Sequence, residues 1–254
     1  MNDATTTPIH AKADNGARPK TAMMLSAGLG KRLRPITSTV PKPLVEVRGK
    51  ALIDYGLDAL VRAGIEKVVV NVHYLPDLMR AHLRKRKDIE IVVSDESDLL
   101  LDSGGGIVKA LPHLGSEPFF VLNSDTFWIE SYRANLDVLA DLWRPDQMDV
   151  SLLIADMAQS TGYDGRGDFV MNAAGRLTRR EERDMSPFIY AGAGIFKPEL
   201  FEGYEAKPFS LNRIFDSTIE AERIFGVRLS GLWLTVGTPL AIKQAEAAFL
   251  ASAA

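Results

Sequence analysis

The sequence predicts an α/β fold with a mostly parallel, doubly wound sheet and a small antiparallel layer in the second half of the chain. Short apolar runs alternate with segments whose apolar residues recur at helical spacing. Glycine-rich or acidic turns follow several of these runs. Strands that alternate with helices in this way are typical of parallel sheets with helices on both faces.

The first half of the chain supplies the predicted parallel strands. Each is a short run of the kind that a sheet buries on both faces. They are TAMMLSA (21–27), EKVVVNV (66–72), IEIVVSD (89–95), PFFVLNSD (118–125) and DVSLLIAD (149–156). Predicted helices lie between them. They are IDYGLDALVRAG (53–64), PDLMRAHLRKRK (76–87) and the segment fed by the glycine turn DSGGG (102–106).

After about residue 160 the pattern changes to short strands and turns. We expect an antiparallel lid, roughly residues 160–200, that closes over the edge of the main sheet. Its strands are GDFVMN (167–172), RLTRR (176–180) and FIYAGAGIF (188–196). Beyond the lid we expect a helix, a hairpin of strands in GVRLSGLWLTVGT (226–238) and a final amphipathic helix.

Composition and charge exclude several classes of protein. The 254 residues include 30 Lys plus Arg and 33 Asp plus Glu, and no cysteine. A disulfide-stapled module and a cysteine-based metal or redox site are therefore excluded. The near-neutral net charge of −3 gives no support for a nucleic-acid partner or a polybasic membrane surface.

The N-terminus is polar and has no apolar core. We predict a disordered tail over residues 1–19 and one domain over residues 20–254. No stretch reaches the ~18 unbroken apolar residues of a membrane span, and the tail lacks the shape of a signal peptide. We therefore expect a cytoplasmic protein that is a monomer or a small homo-oligomer.

Polar features converge on one edge of the predicted sheet. In open α/β sheets, ligands bind beyond the carboxyl ends of the strands. The turn Gly28–Arg32, the turn Gly104–Gly106 and Asp125 each follow a predicted strand. The sequence therefore predicts a ligand site at this edge.

The first turn has the composition of an anion site. Gly28 and Gly30 allow tight backbone geometry and close approach of N–H groups to a ligand, and Lys31, Arg32 and Arg34 supply positive charge. An ordinary βα turn with solvated basic residues is the alternative. The segment contains neither a P-loop nor the G-x-G-x-x-G pattern, which argues against a dinucleotide-dependent dehydrogenase.

A lysine between two prolines follows this turn. Pro41 and Pro43 stiffen the chain around Lys42, which reduces the entropy lost when the lysine binds a ligand. An extended connector with a surface lysine is the alternative for this segment alone.

Together, AGLGKRLRPIT (27–37) and PKPL (41–44) resemble the signature of the sugar-phosphate nucleotidyltransferases, which join a nucleoside triphosphate to a sugar 1-phosphate and release pyrophosphate. The resemblance extends over roughly residues 21–250. It includes VVVNVHYL (68–75), LLLDSGGGIVKALPHL (99–114), FVLNSD (120–125) and GLWLTVGTP (231–239). It implies a Rossmann-like sheet of the GT-A type with a smaller sugar-binding lid.

The resemblance also implies roles for individual residues. Arg32, Lys42 and Asp125 would be catalytic, with Asp125 holding Mg²⁺ as the cofactor. The implied nucleotide-binding residues are Ala27, Gly28, Gly30, Lys31, Arg32, Lys42, Gly104 and Gly105. The implied sugar-binding residues are Gly167, Asp168, Glu182 and Arg183.

One position departs from the family pattern. The closing segment of the family carries a second metal-binding aspartate where this chain has Thr235. Hard cations such as Mg²⁺ prefer carboxylate oxygens. Asp102 and Asp168 are candidate substitutes, and a catalytically weakened nucleotide-binding protein is the alternative function.

The DSGGG turn and the short C-terminus look most like uridylyltransferases that act on N-acetylmuramic acid 1-phosphate in cell-wall recycling. UTP and this sugar 1-phosphate are thus the expected partners. Mannose-1-phosphate guanylyltransferases share much of the pattern and remain an alternative.

Overall fold

A computed structural model describes residues 18–252. The described part contains the following strands and helices. The strands are β1 (Thr21–Leu25), β2 (Glu46–Val47), β3 (Lys50–Ala51), β4 (Lys67–Val72), β5 (Glu90–Asp95), β6 (Phe119–Asn123), β7 (Thr126–Glu130), β8 (Val150–Asp156), β9 (Ser160–Thr161), β10 (Phe169–Met171), β11 (Leu177–Arg179), β12 (Phe188–Phe196), β13 (Ile224–Arg228) and β14 (Gly231–Thr235). The α-helices are α1 (Leu52–Arg62), α2 (Pro76–Leu83), α3 (Asp102–Leu114), α4 (Asn135–Asp141), α5 (Asn212–Glu220) and α6 (Pro239–Ser252).

A large, mostly parallel sheet forms the centre of the molecule, as predicted. β6, β1, β4 and β5 are parallel neighbours in that order, and β8 pairs in parallel with β13. β12 runs antiparallel between β6 and β8 and joins the two parallel parts. The carboxyl ends of β1, β4 and β6 therefore lie side by side at one edge.

Both faces of this sheet are covered by helices, which confirms the doubly wound arrangement. Successive residues of a strand point to opposite faces. Accordingly, Ala22 and Met24 pack in one core with α1, α2 and α4, whereas Met23 packs in a second core with α3 and α5. All three side chains are fully buried, which explains why the run is continuously apolar.

A smaller sheet lies beside the main one, in the order β7, β14, β9. The hairpin expected over residues 226–238 does not form, because β13 pairs with β8 in the main sheet whereas β14 pairs with β7 and β9. Gly231 begins β14 at φ +114°, where a Cβ would lie 2.0 Å from the Ile129 carbonyl oxygen. The chain thus crosses between two sheets at a position that only glycine fits.

The three predicted lid strands all belong to the main sheet. β10 and β11 form the expected antiparallel hairpin, and β10 pairs with β12, which lies between β6 and β8. The alternating small and apolar residues of β12 are almost all buried, so burial between β6 and β8 decides its place. The hairpin therefore extends the main sheet at the end where β11 lies.

The predicted tail falls almost wholly outside the described residues, which begin at Arg18. The guanidinium of Arg18 pairs with the carboxylate of Asp137, in the first turn of α4, and with that of Asp141, the last residue of α4. Among residues 18–252, no helix is both long enough and apolar enough to cross a membrane.

Candidate active site

A cavity of about 690 Å³ lies at the edge where β1, β4 and β6 end. One wall is the glycine loop, residues 26–32, and another is the start of α3. The predicted residues Ala27, Gly28, Gly30, Lys31, Arg32, Lys42 and Asp125 all line it. The structure therefore brings together three segments that are far apart in the sequence.

The glycine loop takes its shape from Gly30. This residue has φ +61°, and its carbonyl oxygen accepts hydrogen bonds from the Thr37 hydroxyl and the Leu33 N–H. A Cβ at Gly30 would lie 3.0 Å from both the Cβ of Lys42 and the Cγ2 of Thr37. The absence of a side chain lets the loop pack directly against the lysine segment.

Two cations of this loop have no protein anion to neutralise them. Lys31 and Arg32 are exposed and line the cavity, and within residues 18–252 neither side chain makes an ion pair or a hydrogen bond. The guanidinium of Arg32 lies against Gly237, where an added Cβ would be 3.4 Å from its Nη2. Unpaired cations beside free backbone N–H groups form a site suited to a phosphorylated ligand.

Lys42 and Asp125 form an ion pair inside the cavity. The Nζ of Lys42 lies 2.5 Å from Oδ2 of Asp125, and the lysine side chain is only 13% exposed. Asp125 follows β6, and its carbonyl oxygen accepts the Val236 N–H at 3.0 Å. The pair therefore joins the segment after the glycine loop to the end of the central strand.

The carboxylates offer a divalent cation few ligands. Within residues 18–252, no cluster of three or more His, Cys, Asp and Glu side chains has the geometry of a metal site. Asp102 lines the same cavity as Asp125, whereas Asp168 does not. Thr235 pairs in the small sheet with Thr126, the residue that follows Asp125, and does not line the cavity. This donor set fits a Mg²⁺ that keeps most of its bonds to phosphate and water.

Asn71 and Ser103 line the cavity although the sequence did not single them out. Asn71 is buried, and its Oδ1 accepts the Ser26 N–H at 2.6 Å. The signal was present, because Asn71 is a polar residue inside the apolar run VVVNV, where it needs hydrogen-bond partners. Ser103 sits beside Asp102, which has φ +58°, a conformation that a non-glycine residue adopts at a cost.

Gly104 and Gly105, the other predicted nucleotide-binding residues, do not line this cavity. Both residues are buried inside α3 rather than in a turn, and both N–H groups point at the Phe209 carbonyl oxygen. A Cβ at Gly104 would collide with the Phe209 ring, and one at Gly105 would lie 2.1 Å from the Lys207 carbonyl oxygen. These glycines admit a neighbouring segment, and the cavity wall is made by Asp102 and Ser103 instead.

The predicted sugar-binding residues lie apart from this cavity. Gly167, Asp168 and Glu182 border a second cavity of about 370 Å³ against the hairpin, and Arg183 is exposed in the adjoining loop. Asp168 accepts the Tyr190 N–H at 2.9 Å, which fixes it against β12. The structure therefore groups three of the four residues but does not bring them to the glycine loop.

A half-buried tyrosine supports the loop next to this second cavity. The hydroxyl of Tyr163 accepts the Gly167 N–H at 3.1 Å. Burial raises the pKa of Tyr163, and the nearby carboxylate of Asp168 adds to that increase. The phenol therefore stays neutral at physiological pH and acts as a fixed hydrogen-bonding support.

The sheet ends at a cavity with unpaired cations, which is the place where open α/β sheets bind phosphorylated ligands. Residues 21–252 match the sequence profile described as Nucleotidyl transferase. The chain belongs to the nucleotidyl transferase family, and its confirmed fold is the mixed α/β fold of these enzymes.

Two relatives are similar over nearly their whole length. The N-acetylmuramate alpha-1-phosphate uridylyltransferase of Caulobacter vibrioides is 46% identical over 233 residues, which are 90% of this chain and 96% of that protein. The enzyme of the same name from Neisseria meningitidis serogroup B is 33% identical, over 89% of this chain and 96% of its own.

Among solved structures, the inositol-1-phosphate CTP transferase from T. maritima has a similar fold. Its TM-score is 0.73 at 19% sequence identity, over 91% of this chain and 97% of that one. At this identity, the similarity extends to the fold.

Proposed function

We propose that the chain transfers a uridylyl group from UTP to N-acetylmuramic acid 1-phosphate and releases pyrophosphate. The observation that carries the proposal is the cavity edge where unpaired Lys31 and Arg32 lie with the Lys42–Asp125 pair. Two relatives of nearly equal length bear the name of this activity. The substrates are those of cell-wall recycling, and we infer a cytoplasmic reaction because nucleoside triphosphates are made there.

The reaction needs charge stabilisation more than proton transfer. An oxygen of the sugar phosphate attacks the α-phosphorus of UTP, and the bond from that phosphorus to the bridging oxygen of the β-phosphate breaks. The electron pair leaves with pyrophosphate. Because the attacking phosphate is already ionised, no general base is required.

Each cation of the cavity has a part in this step. Arg32 binds the phosphates on which negative charge develops, and Lys31 adds positive charge at the mouth of the site. Lys42 binds oxygens of the attacking or departing phosphate beside Asp125. Placed before the substrate arrives, these cations stabilise the transition state without reorganising.

We propose Mg²⁺ as the cofactor, held by Asp125 and by oxygens of the triphosphate. The metal would supply further neutralisation of the phosphate charge. Asp102 is the second carboxylate that lines the cavity and would be the other candidate to contribute to holding the metal. Thr235 lies beside Asp125 without supplying a charge.

The hairpin side of the molecule is the proposed binding region for the sugar. Asp168 and Glu182 offer acceptors for hydroxyl groups, and Gly167 has φ +78°, which keeps the loop tight. Arg183 is exposed nearby and free to contact a carboxylate or phosphate. Binding there requires the substrate to span from the hairpin to the glycine loop.

The test is a turnover panel that measures pyrophosphate release for each nucleoside triphosphate with each sugar 1-phosphate. We expect the highest kcat/KM with UTP and N-acetylmuramic acid 1-phosphate. A preference for GTP with mannose 1-phosphate would replace the proposal by the guanylyltransferase alternative. Binding of UTP without turnover of any pair would support the catalytically weakened protein.

Replacement of the unpaired arginine tests the mechanism. Arg32→Ala should lower kcat by roughly 10²–10³-fold, as removal of one transition-state donor does. Since Arg32 is exposed and unpaired, the thermal midpoint should not change. Arg34→Ala is the matched control, because Arg34 is also exposed but lies outside the cavity. Equal activity of the two variants would contradict the role of Arg32.

The metal proposal has its own variant. Asp125→Asn should raise the Mg²⁺ concentration needed for half-maximal rate and lower the rate at saturation, since an amide is a weaker ligand than a carboxylate. Turnover of the wild-type protein should stop in excess EDTA and return with added Mg²⁺. An unchanged Mg²⁺ requirement in Asp125→Asn would rule out this ligand.

A further inference from the structure

A buried carboxylate outside the proposed chemistry connects two walls of the cavity. Glu96 follows β5 and is 1% exposed. Its Oε1 accepts a hydrogen bond from Nδ2 of Asn71 at 2.7 Å, and its Oε2 accepts one from the N–H of Leu101 at 3.1 Å. No ion pair includes Glu96 anywhere in residues 18–252. Burying a carboxyl group without a cation costs free energy that its hydrogen bonds must offset. The hydrogen bonds of Glu96 are therefore the part of the structure that keeps it there.

The two donors belong to opposite sides of the site. Oδ1 of Asn71 accepts the N–H of Ser26, the first residue of the glycine loop, at 2.6 Å. Leu101 directly precedes Asp102 and Ser103, which line the other wall. One side chain therefore holds the glycine loop, through Asn71, and the start of α3, through Leu101.

Helix α3 packs directly on this contact. A Cβ at Gly106 would lie 2.8 Å from both Nδ2 of Asn71 and Oε1 of Glu96. The backbone of Glu96 is fixed as well, because its carbonyl oxygen lies 2.7 Å from Nδ1 of His73. The third glycine of DSGGG thus makes room for the chain of hydrogen bonds that runs from Glu96 through Asn71 to Ser26. This chain of hydrogen bonds is called the relay below.

We propose that Glu96 is a positioning residue that sets the separation of the glycine loop and the first turn of α3, and with it the fit of the nucleotide. Glu96 does not line the cavity and acts through Asn71 and Leu101. The inference rests on the proposed function in that the cavity takes a nucleotide. It assigns to a buried acid a role that is separate from the phosphate chemistry.

The chemistry of the relay requires two acceptors at position 96. A carboxylate accepts at both oxygens, whereas an amide accepts at one oxygen and donates from its nitrogen. In Glu96→Gln, one of the two donors therefore faces an NH₂ group. Either Asn71 turns, which releases the Ser26 N–H, or the N–H of Leu101 loses its partner.

The first test compares Glu96→Gln with a matched control by calorimetric titration with UTP and Mg²⁺. We expect ~10-fold weaker binding, the equivalent of one unsatisfied buried hydrogen bond. The KM for UTP should rise similarly and kcat much less, because the phosphate-binding cations are unchanged. The control is Glu130→Gln, whose carboxylate accepts from Trp128 and Asn135 away from this cavity. It should keep wild-type affinity.

A complementary double variant tests the relay itself. In Asn71→Asp/Glu96→Gln, Asp accepts from Ser26 and from the new amide, whose oxygen accepts from Leu101, so every donor regains an acceptor. Because Asn71 lines the cavity, the readout is stability: the double variant should lose less unfolding free energy than the sum of the losses of the two single variants. Asn71→Asp alone places two buried carboxylates in contact and should be the least stable variant.

The outcomes separate this inference from the proposed function. Wild-type UTP affinity in folded Glu96→Gln would overturn the positioning role, and so would losses of stability that simply add in the double variant. If Glu96→Gln does not fold, the double variant must fold, or the inference fails. Wild-type protein that binds UTP but shows no turnover would contradict the proposed function and leave the relay supported by its own binding data.

Discussion

At the residue scale, two glycines two positions apart serve different purposes. Gly30 has φ +61° and contacts Lys42 and Thr37, whereas a Cβ at Gly28 would meet no protein atom within 4 Å. Gly30 is therefore required by the fold of the loop. Gly28 is open towards the cavity, so its lack of a side chain matters for what binds there.

Alanine substitutions should separate these two roles. Gly30→Ala should lower the free energy of unfolding by about 1–3 kcal/mol, because alanine is strained at this φ and crowds its neighbours. Gly28→Ala should leave stability unchanged and weaken UTP binding, because its methyl group takes space near the phosphates. Urea denaturation and UTP titration measure both effects. Equal losses of stability would contradict the distinction.

Site residues that lie in one continuous segment were easier to predict than site residues that come from several separate segments. Arg32 and Lys42 stand in a short signature, and the structure places both at the wall of one cavity. Asn71 and Ser103 come from other segments and reach the site only through the sheet. Gly104 and Gly105 were expected in a turn but lie in α3, because glycine marks a turn and a close packing contact alike, and the sequence does not say that residues 207–209 pack there.

At the element scale, a half-buried cluster of ion pairs connects three strands in the second half of the chain. Asp149 precedes β8 and pairs with Lys197 after β12 at 2.8 Å and with Arg223 before β13 at 2.7 Å. Burial by itself would raise the pKa of Asp149, but the hydrogen bonds and charges of Arg223 and Lys197 lower it overall. The cluster thus stabilises the order in which these strands pair.

The lowered pKa fixes the direction of the pH dependence. The folded chain holds the proton of Asp149 less tightly than the unfolded chain, so its ion pairs stabilise fully above the ordinary pKa of 3.8 and less as pH falls below it. Asp149→Asn should lose about 1–3 kcal/mol of stability at pH 7. This difference should vanish in urea melts at acid pH. Asp98→Asn, at an exposed and unpaired site, should show neither effect.

Whether a segment forms a strand or a helix was predictable from its own residues. Which strands it pairs with was less predictable, because that depends on distant segments. The continuous apolar runs that predicted β1 and β4 are a property of those residues alone. The run FIYAGAGIF was correctly predicted to be a strand, but its position between β6 and β8 depends on segments more than 30 residues away in sequence. For the same reason β13 and β14 were predicted to form a hairpin although they belong to different sheets.

At the scale of the whole molecule, β12 makes the main sheet continuous from β5 to β13. Its removal would separate β1, β4, β5 and β6 from β8, β13 and the hairpin of β10 and β11, because β6, β8 and β10 each pair with β12. We therefore expect the hairpin region and the central sheet to unfold together.

The tryptophans provide the measurement. Trp143 is buried in the main core, and Trp128 and Trp233 lie in the small sheet. The urea transition followed by tryptophan fluorescence should coincide with that followed by far-ultraviolet circular dichroism. Saturating UTP with Mg²⁺ should move both together, by about 2.7 kcal/mol at 100 times Kd. Two separate transitions would mean that the sheet does not unfold as a unit.

The ion pair of Lys42 and Asp125 has a consequence for the order of events in a catalytic cycle. While the ammonium occupies the carboxylate, a free divalent cation gains little by entering. Phosphate oxygens that arrive with the metal offer Lys42 a new partner and release Asp125 at the same moment. If Asp125 holds the proposed Mg²⁺, we therefore expect the enzyme without substrate to have a low affinity for bare metal ions and to take up the metal together with its nucleotide.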